Sequence, residues 1–234
     1  MTRSHPKRSY KTATAAASGE NFEILLDEIP ARIGTTPLRL PTRALADAIA
    51  QEWREQGEVL DPERMRLTGL AGSALTKVST QRGAVIEHVL GYGRNELLCY
   101  RAAEPPELIA RQNEQWDVLL EWAHLRRGIR FVADSGISFI EQPVDALLRM
   151  QEIVSDCDNF ELAALDAAAT LASSFVVALA LVEGHINAEE AFAVSHLDEL
   201  FQAQKWGRDA NAELRRARIL TGLKAVERFV SLID

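Results

Sequence analysis

The feature that constrains this chain most is a run of about twenty residues, Leu162 to Val182, which is rich in alanine and carries almost no charge. Its length alone would suffice to cross a bilayer. However, Asp166 lies inside it, and the flanking residues Glu161 and Glu183 are acidic, whereas membrane anchors favour basic flanks. A helix that is apolar on nearly all sides is buried. The run therefore predicts a helix at the centre of a core, covered by other helices, and no stable insertion into a membrane.

The rest of the C-terminal part supplies helices that can cover this run. Beyond Pro143 no strand pattern survives. Helical spacing of apolar residues predicts helices at 143–155, 160–183, 188–206 and 211–232. These runs are separated by turn residues, so we expect an all-helical bundle over 143–234.

The N-terminal part mixes strands with helices. Residues 1–19 are polar and basic without a sustained period, which predicts a flexible tail, and 20–142 are expected to form a separate domain. The predicted elements of that domain are a hairpin over 21–40, a helix from Thr42 to Gly57, helical segments at 65–78 and 81–93, a buried strand at 97–100, a long helix from Pro105 to Gly128, and a second hairpin joining 129–132 to 137–140. The predicted fold class is α+β: a mixed domain followed by a helical one.

Charge and cysteine content exclude several classes of protein. The net charge of −8 argues against a general nucleic-acid or anionic-membrane binder. Cys99 and Cys157 are too far apart in sequence for a Cys-x-x-Cys redox or zinc motif, and two cysteines make no disulfide framework. A reducing compartment is expected: the bacterial cytoplasm or, since the acid-free start resembles a transit peptide, the mitochondrial matrix if the source is eukaryotic.

No motif indicates catalysis or a cofactor. The chain lacks a phosphate-binding loop of the Gly-x-x-x-x-Gly-Lys type, and its five histidines never stand four apart as helix-borne metal ligands do. Ser195, His196 and Asp198 are triad residue types, but neighbours on one helix cannot form the line of nucleophile, base and orienting acid. We therefore predict no catalytic residues, no nucleotide or other cofactor and no metal.

The segment Glu190 to Gly207 offers a candidate contact surface. If it is one helix, Ser195, Glu199, Gln202 and Trp206 share a stripe, because they stand at i, i+4, i+7 and i+11. An exposed stripe that includes a tryptophan is typical of a binding surface. The alternative is structural: Trp206 would lie under the next helix, and Glu199 would pair with an arginine such as Arg215 or Arg216.

Several long segments resemble a known family, the assembly chaperones for the alpha subunit of the F(1) sector of F-type ATP synthase. The resemblance covers nearly the whole chain from Arg8. The segments that carry it are TPLRLPTRALADAIAQEW from Thr36, Met65-x-Leu67-Thr68-x-Leu70, LLCYRA followed by EPPELIARQNEQWDVLLEWA, and LDELFQAQKWG. One departure is Lys77, which stands where the family leads us to expect an acidic residue.

The resemblance implies a two-domain, non-enzymatic, ATP-independent chaperone. Such a protein would bind the unassembled alpha subunit and mask its subunit interface until the beta subunit replaces it. Glu199 matches an acidic position that is functionally important in the family, and Trp53 is assigned to the core. The predicted partner contacts are Glu199, Gln202 and Trp206, with Trp116, Asp117 and Trp122 as further candidates.

Two other hypotheses stay open at this stage. The chain could be an enzyme with an active site between the two domains, or an interaction module for an unrelated partner. Strongly shifted carboxyl pKa values around a pocket would favour the enzyme.

Overall fold

The computed structural model of the protein describes residues 6–136, 138–207 and 209–233. An antiparallel sheet opens the chain. The strands of the N-terminal part are β1 (Ala13–Ser18), β2 (Asn21–Leu26), β3 (Ile29–Pro30), β4 (Arg32–Ile33), β5 (Thr36–Pro37) and β6 (Arg39–Leu40). β2 pairs with β1 along its full length and with β3 and β6 at its other edge, where Phe22 lies opposite Leu40. This last pairing confirms the predicted hairpin over 21–40.

The predicted flexible tail over 1–19 is wrong for the part that the structure describes; residues 1–5 lie outside it. Ala13 and Tyr10 are buried, and the Tyr10 hydroxyl donates to the backbone carbonyl of Trp53 at 2.7 Å. β1 consists mostly of alanines, whose small side chains give little hydrophobic alternation, so the strand has no clear signal in the sequence. β1 forms because its backbone pairs with β2.

Helices account for most of the remaining chain. They are α1 (Arg43–Arg54), α2 (Arg66–Ser73), α3 (Ser79–Arg94), α4 (Pro106–Arg127), α5 (Val144–Asp156), α6 (Asn159–Ala172), α7 (Phe175–Val182), α8 (Ala188–Ser195), α9 (Leu197–Trp206) and α10 (Ala210–Ile233). Thr42 caps α1 as predicted, since its side chain accepts a hydrogen bond from the Leu45 N–H. α4 ends at Gly128, which adopts the left-handed conformation with φ 70°. The α+β class is confirmed.

The apolar run at 162–182 is buried as predicted, but it forms two helices. Ser173 turns the chain with φ 52°, and Ser174 caps α7 by accepting a hydrogen bond from the Val177 N–H. Serine competes for backbone hydrogen bonds and favours helix ends, which explains the division. In the described part of the chain, no helix combines the length and the apolarity that crossing a bilayer requires.

A buried carboxylate holds the start of α7. Glu96 accepts hydrogen bonds from the Ser174 hydroxyl at 2.5 Å and from the backbone N–H groups of Phe175 and Val176 at 2.9 and 3.0 Å. A fourth hydrogen bond comes from the N–H of Leu98 at 3.2 Å. Burial is the largest influence on this group and raises the pKa of Glu96 to about 7, although the four donors act against it.

The predicted strand at 97–100 and the second hairpin are wrong. Leu97–Cys99 is a turn of 3-10 helix, started by Glu96 as its cap. A short parallel pair comes next, between β7 (Tyr100–Arg101) and β8 (Asp134–Ser135). The hairpin prediction included Ile137, which lies outside the described residues. The backbone of Val132 is instead occupied by the Gln142 side chain, through hydrogen bonds of 2.9 and 3.0 Å.

Helices from both parts of the chain share one core. α3 packs against α5 and α6, and α10 packs against α1, α2, α6 and α8. Buried side chains from before and after residue 142 belong to one continuous apolar cluster. The division into two domains at that residue stays a prediction.

Candidate partner-binding surface

The predicted helix at 188–206 is broken in the middle. His196 has φ −113° and ψ 20°, which separates α8 from α9. The His196 ring stacks on Phe192 with centroids 4.7 Å apart, and the Ser195 hydroxyl donates back to the Ala191 carbonyl at 2.7 Å. Ser195 therefore belongs to α8 and does not continue the stripe of Glu199, Gln202 and Trp206, all of which lie on α9.

Glu199 anchors the first turn of α9 to α10. Its two carboxylate oxygens lie 2.8 Å from Arg215 Nη2 and 3.0 Å from Arg216 Nη1. Partial burial opposes the charged form, but hydrogen bonds and charge from Arg215 and then Arg216 outweigh it and lower the pKa of Glu199. In this structure Glu199 therefore makes the ion pairs with Arg215 and Arg216 that the structural alternative predicted.

Trp206 does not lie under the next helix. Its side chain is 78% exposed, and Gly207, with φ 96°, ends α9 immediately after it. Gln202, one helical turn earlier, is also exposed. On α9, this pair forms the exposed part of the predicted contact set.

The end of α9 is fixed on α4 by its other side chains. Gln204 accepts a hydrogen bond from Arg111 at 2.8 Å, and Lys205 Nζ lies 3.8 Å from a Glu107 carboxylate oxygen. Phe201 is buried, with Arg111 and Lys205 over its ring. Trp206 is thus an exposed aromatic side chain on a helix that is held from the opposite side.

The predicted contacts on α4 divide into two buried residues and one exposed residue. Trp116 is 1% exposed, and its indole N–H donates to the Val194 carbonyl at 3.0 Å. Trp122 is buried and stacks on His185 with centroids 4.8 Å apart. Both side chains are covered within the chain, Trp116 next to α8 and Trp122 against the loop before it, so their role as partner contacts stays a prediction. Asp117 is exposed and pairs with Arg101 at 2.6 Å.

The contacts of Ser195, His196 and Asp198 are those of structural side chains. Ser195 Oγ and His196 Nδ1 lie 2.9 Å apart, but the hydroxyl proton goes to the Ala191 carbonyl, so the hydroxyl oxygen can only accept from the imidazole. Asp198 accepts a hydrogen bond from Gln112 at 2.8 Å. Burial lowers the pKa of His196, and Glu199 opposes that shift. Among the described residues, no three metal-ligating side chains cluster.

Lys77 has a partner within the chain that explains its charge. Its ammonium group lies 2.7 Å from Asp166, the single acid of the apolar run, and His88 Nδ1 lies 2.6 Å from the other oxygen of the same carboxylate. A carboxylate this deeply buried requires compensation. A lysine at 77 supplies it, whereas the acidic residue expected from the family would repel Asp166.

The sequence interpretation missed the apolar side chains that α4 and α10 expose. Val118 and Leu125 on α4 are 62% and 68% exposed, and Leu214 on α10 is also exposed. The signal for the α4 pair was a spacing of seven residues, which puts two side chains on one face of a helix. That spacing could not be told apart from the pattern of the buried apolar face, which lies on the same helix.

Comparison with known proteins identifies the family. The model of the family described as ATP12 chaperone protein matches residues 7–124. The crystal structure of Atp12 from Paracoccus denitrificans is 40% identical in sequence, covers 97% of this chain and 98% of its own, and superimposes with a TM-score of 0.92. The chain belongs to the ATP12 chaperone family.

Two further relatives of this chain support the assignment to the ATP12 chaperone family. The structure of the Atu1473 protein from Agrobacterium tumefaciens is 38% identical, covers 98% of this chain and 87% of its own, and has a TM-score of 0.93. "Protein atp12, mitochondrial" from Schizosaccharomyces pombe is 27% identical over 104 residues, which are 43% of this chain and 36% of the yeast protein. The resemblance to the ATP synthase assembly chaperones is thereby confirmed at the level of the family.

Proposed function

We propose that this protein is an ATP-independent assembly chaperone that binds the unassembled alpha subunit of the F(1) ATP synthase. It masks the subunit interface until the beta subunit takes its place, and it performs no catalysis. Membership of the ATP12 chaperone family supports the general role. The observation that carries the binding site is Trp206, a tryptophan that is 78% exposed on an anchored helix.

The chemistry of the Trp206 surface suits the capture of an apolar interface. A tryptophan is normally buried, and in protein interfaces it is among the residues that contribute most binding energy. Trp206 and Gln202 project from a helix whose position is set by Glu199 on one side and by α4 on the other. Because the helix is already held in place, its backbone needs no further ordering when a partner binds.

Release requires no hydrolysis in this scheme. An isolated alpha subunit exposes apolar surface that its neighbours would cover, and such patches promote aggregation. A chaperone that covers on the order of 1,200–2,000 Å² would mask it with an affinity that another subunit can exceed. An advantage of ~1.4 kcal/mol for the beta subunit shifts the balance tenfold. The site of action is the bacterial cytoplasm, or the mitochondrial matrix in a eukaryote.

The first test is size-exclusion co-elution with purified alpha subunit, without nucleotide. Wild type is expected to form a complex, Trp206→Ala to weaken it, and Glu199→Lys to abolish it, because a third cation beside Arg215 and Arg216 would displace α9. Glu189→Lys is a matched control with the same change of charge, since Glu189 pairs with Lys224 on α10 at 2.6 Å, as Glu199 pairs with Arg215 and Arg216. Absence of a complex with a soluble alpha subunit would refute the proposal.

Addition of beta subunit to the preformed complex tests the release step. We expect alpha and beta subunits to co-elute and the chaperone to leave as free protein. If beta subunit joined without displacing the chaperone, masking of the alpha–beta interface would be wrong.

A further inference from the structure

The outer face of α4 carries a strip of side chains for which the described chain provides no partner. Glu114, Val118, Glu121 and Leu125 are spaced by four, three and four residues and therefore lie along one side of the helix. Val118 and Leu125 are 62% and 68% exposed, and both glutamates are exposed too. We call these four residues the α4 strip.

The α4 strip differs from the preceding turns of the same helix. There, Glu107 lies against Lys205 and Arg111 bonds Gln204, so those charges serve to hold α9. Within the described residues, neither Glu114 nor Glu121 makes an ion pair. The strip thus begins one helical turn beyond Arg111, which bonds Gln204 of α9, and its charges and its apolar side chains are left for another molecule.

The opposite side of α4 shows that the strip is not needed for packing. Trp116, Leu119 and Ala123 are buried and fix the helix on the core. Large exposed apolar side chains on a helix already held from behind indicate an interaction surface. Two apolar residues seven apart, about 10.5 Å along the axis, match two turns of a partner helix.

The negative charge of Glu114 and Glu121 favours a basic partner over a second copy of the chain, anionic lipid or nucleic acid. A second copy placed strip to strip would bring four unpaired glutamates together, and anionic lipid or nucleic acid would be repelled in the same way. A segment with lysine or arginine on either side of apolar residues would instead pair with Glu114 and Glu121 while it covers Val118 and Leu125.

We infer that the α4 strip binds a basic amphipathic segment of the client protein and extends the Trp206 surface along α4. This inference rests on the proposed function, because the client is the alpha subunit named there. Trp206 supplies a central aromatic contact, and the strip supplies charge complementarity, which governs the rate of association and the choice of partner.

The test measures the dissociation constant for purified alpha subunit at 0.1 M and 1 M salt. The variant Glu114→Gln/Glu121→Gln is expected to bind about tenfold more weakly at 0.1 M and within about twofold of wild type at 1 M, because the Debye length falls from about 10 Å to about 3 Å. The control Glu20→Gln/Glu58→Gln removes the same charge from exposed positions outside α4 and is expected to bind like wild type.

The apolar half of the strip has its own matched pair. Leu125→Ser is expected to weaken binding about tenfold at both salt concentrations, while Leu148→Ser, at a similarly exposed leucine of α5, leaves it unchanged. All six positions are exposed, so circular dichroism is expected to show intact folding.

The outcomes separate the two proposals. If wild type fails to bind soluble alpha subunit, the proposed function fails. If wild type binds but the strip variants bind as tightly as the controls, or if Leu148→Ser is the weaker binder, the α4 strip is wrong and the proposed function stands. If sedimentation shows that wild type dimerises through the strip, or if it binds anionic vesicles, the inferred partner is wrong.

Discussion

The tryptophans of α4 and the tryptophan of α9 are the same side chain in opposite surroundings. Trp116 is 1% exposed and donates its indole N–H to the Val194 carbonyl, whereas Trp206 is 78% exposed. The difference lies in the neighbouring elements. α8 supplies Trp116 with a hydrogen-bond acceptor, and the Arg101 guanidinium lies over its ring, while Gly207 ends α9 immediately after Trp206 and leaves it uncovered among the described residues. A large aromatic residue therefore indicates a surface only when the tertiary structure leaves it uncovered.

The largest effect on stability is expected when the buried tryptophan, Trp116, is replaced. Trp116→Ala is expected to lower the free energy of unfolding by about 3–5 kcal/mol, because it leaves a cavity and an unpaired carbonyl. Trp206→Ala, as the exposed counterpart, is expected to change it by less than about 0.5 kcal/mol. Urea unfolding followed by circular dichroism measures both. Equal losses in the two variants would contradict the different roles assigned to the two side chains.

A second experiment applies the same comparison to carboxylates, with Glu96 buried and Glu199 partly exposed. The pKa of Glu96 is about 7 in the fold and 4.5 as the ordinary value, so the folded state binds the proton more tightly. The contribution of Glu96 to the free energy of unfolding is therefore greatest below pH 4.5 and is lost as the pH rises through 7. Relative to Glu96→Gln, wild type is expected to lose up to about 3 kcal/mol of unfolding free energy over that range.

Glu199 provides the control of opposite sign. Its pKa is lowered, so its stabilisation is present above the ordinary value of 4.5 and is lost as the pH falls through the folded pKa. The difference between wild type and Glu199→Gln is therefore expected to shrink in acid. If Glu96→Gln and wild type had parallel stability curves from pH 4 to 8, the raised pKa of Glu96 would be wrong.

The smallest expected effect compares two anchors of α10. Glu199→Gln is expected to cost about 0.5–1 kcal/mol at pH 7 and low salt, since the pair is partly exposed to solvent. Glu189→Gln, whose pair with Lys224 is more exposed, is expected to cost less than about 0.5 kcal/mol. Thermal unfolding at low and high salt measures both. A larger loss for Glu189→Gln would show that burial of Arg216 adds nothing to the Glu199 contact.

Local sequence signals predicted many of the helices because they act within a few residues. Thr42 caps α1 as predicted, and Gly128 ends α4 as predicted. The failures occurred where local signals conflict with long-range pairing. β1 has little side-chain pattern and exists because β2 pairs with it. Glu96 starts a 3-10 turn where an apolar run favoured a strand.

The candidate surface was predictable only in part, because the stripe was drawn on a continuous helix. His196 breaks that helix, so Ser195 was assigned wrongly, while Gln202 and Trp206 are exposed as a contact surface requires. Whether they bind a partner stays a prediction. The α4 strip could not be identified, since periodicity shows that two residues share a face but not whether another element covers it.

The sequence by itself determined the α+β class, the burial of the run at 162–182, and the family, because composition, periodicity and long matching segments are properties of the chain alone. The tertiary structure decided which side chains remain accessible. Trp116 and Trp122 lie under other elements, Trp206 does not, and Glu199 is engaged by Arg215 and Arg216. Accessibility depends on what packs against a residue from distant parts of the chain, and no local pattern carries that information.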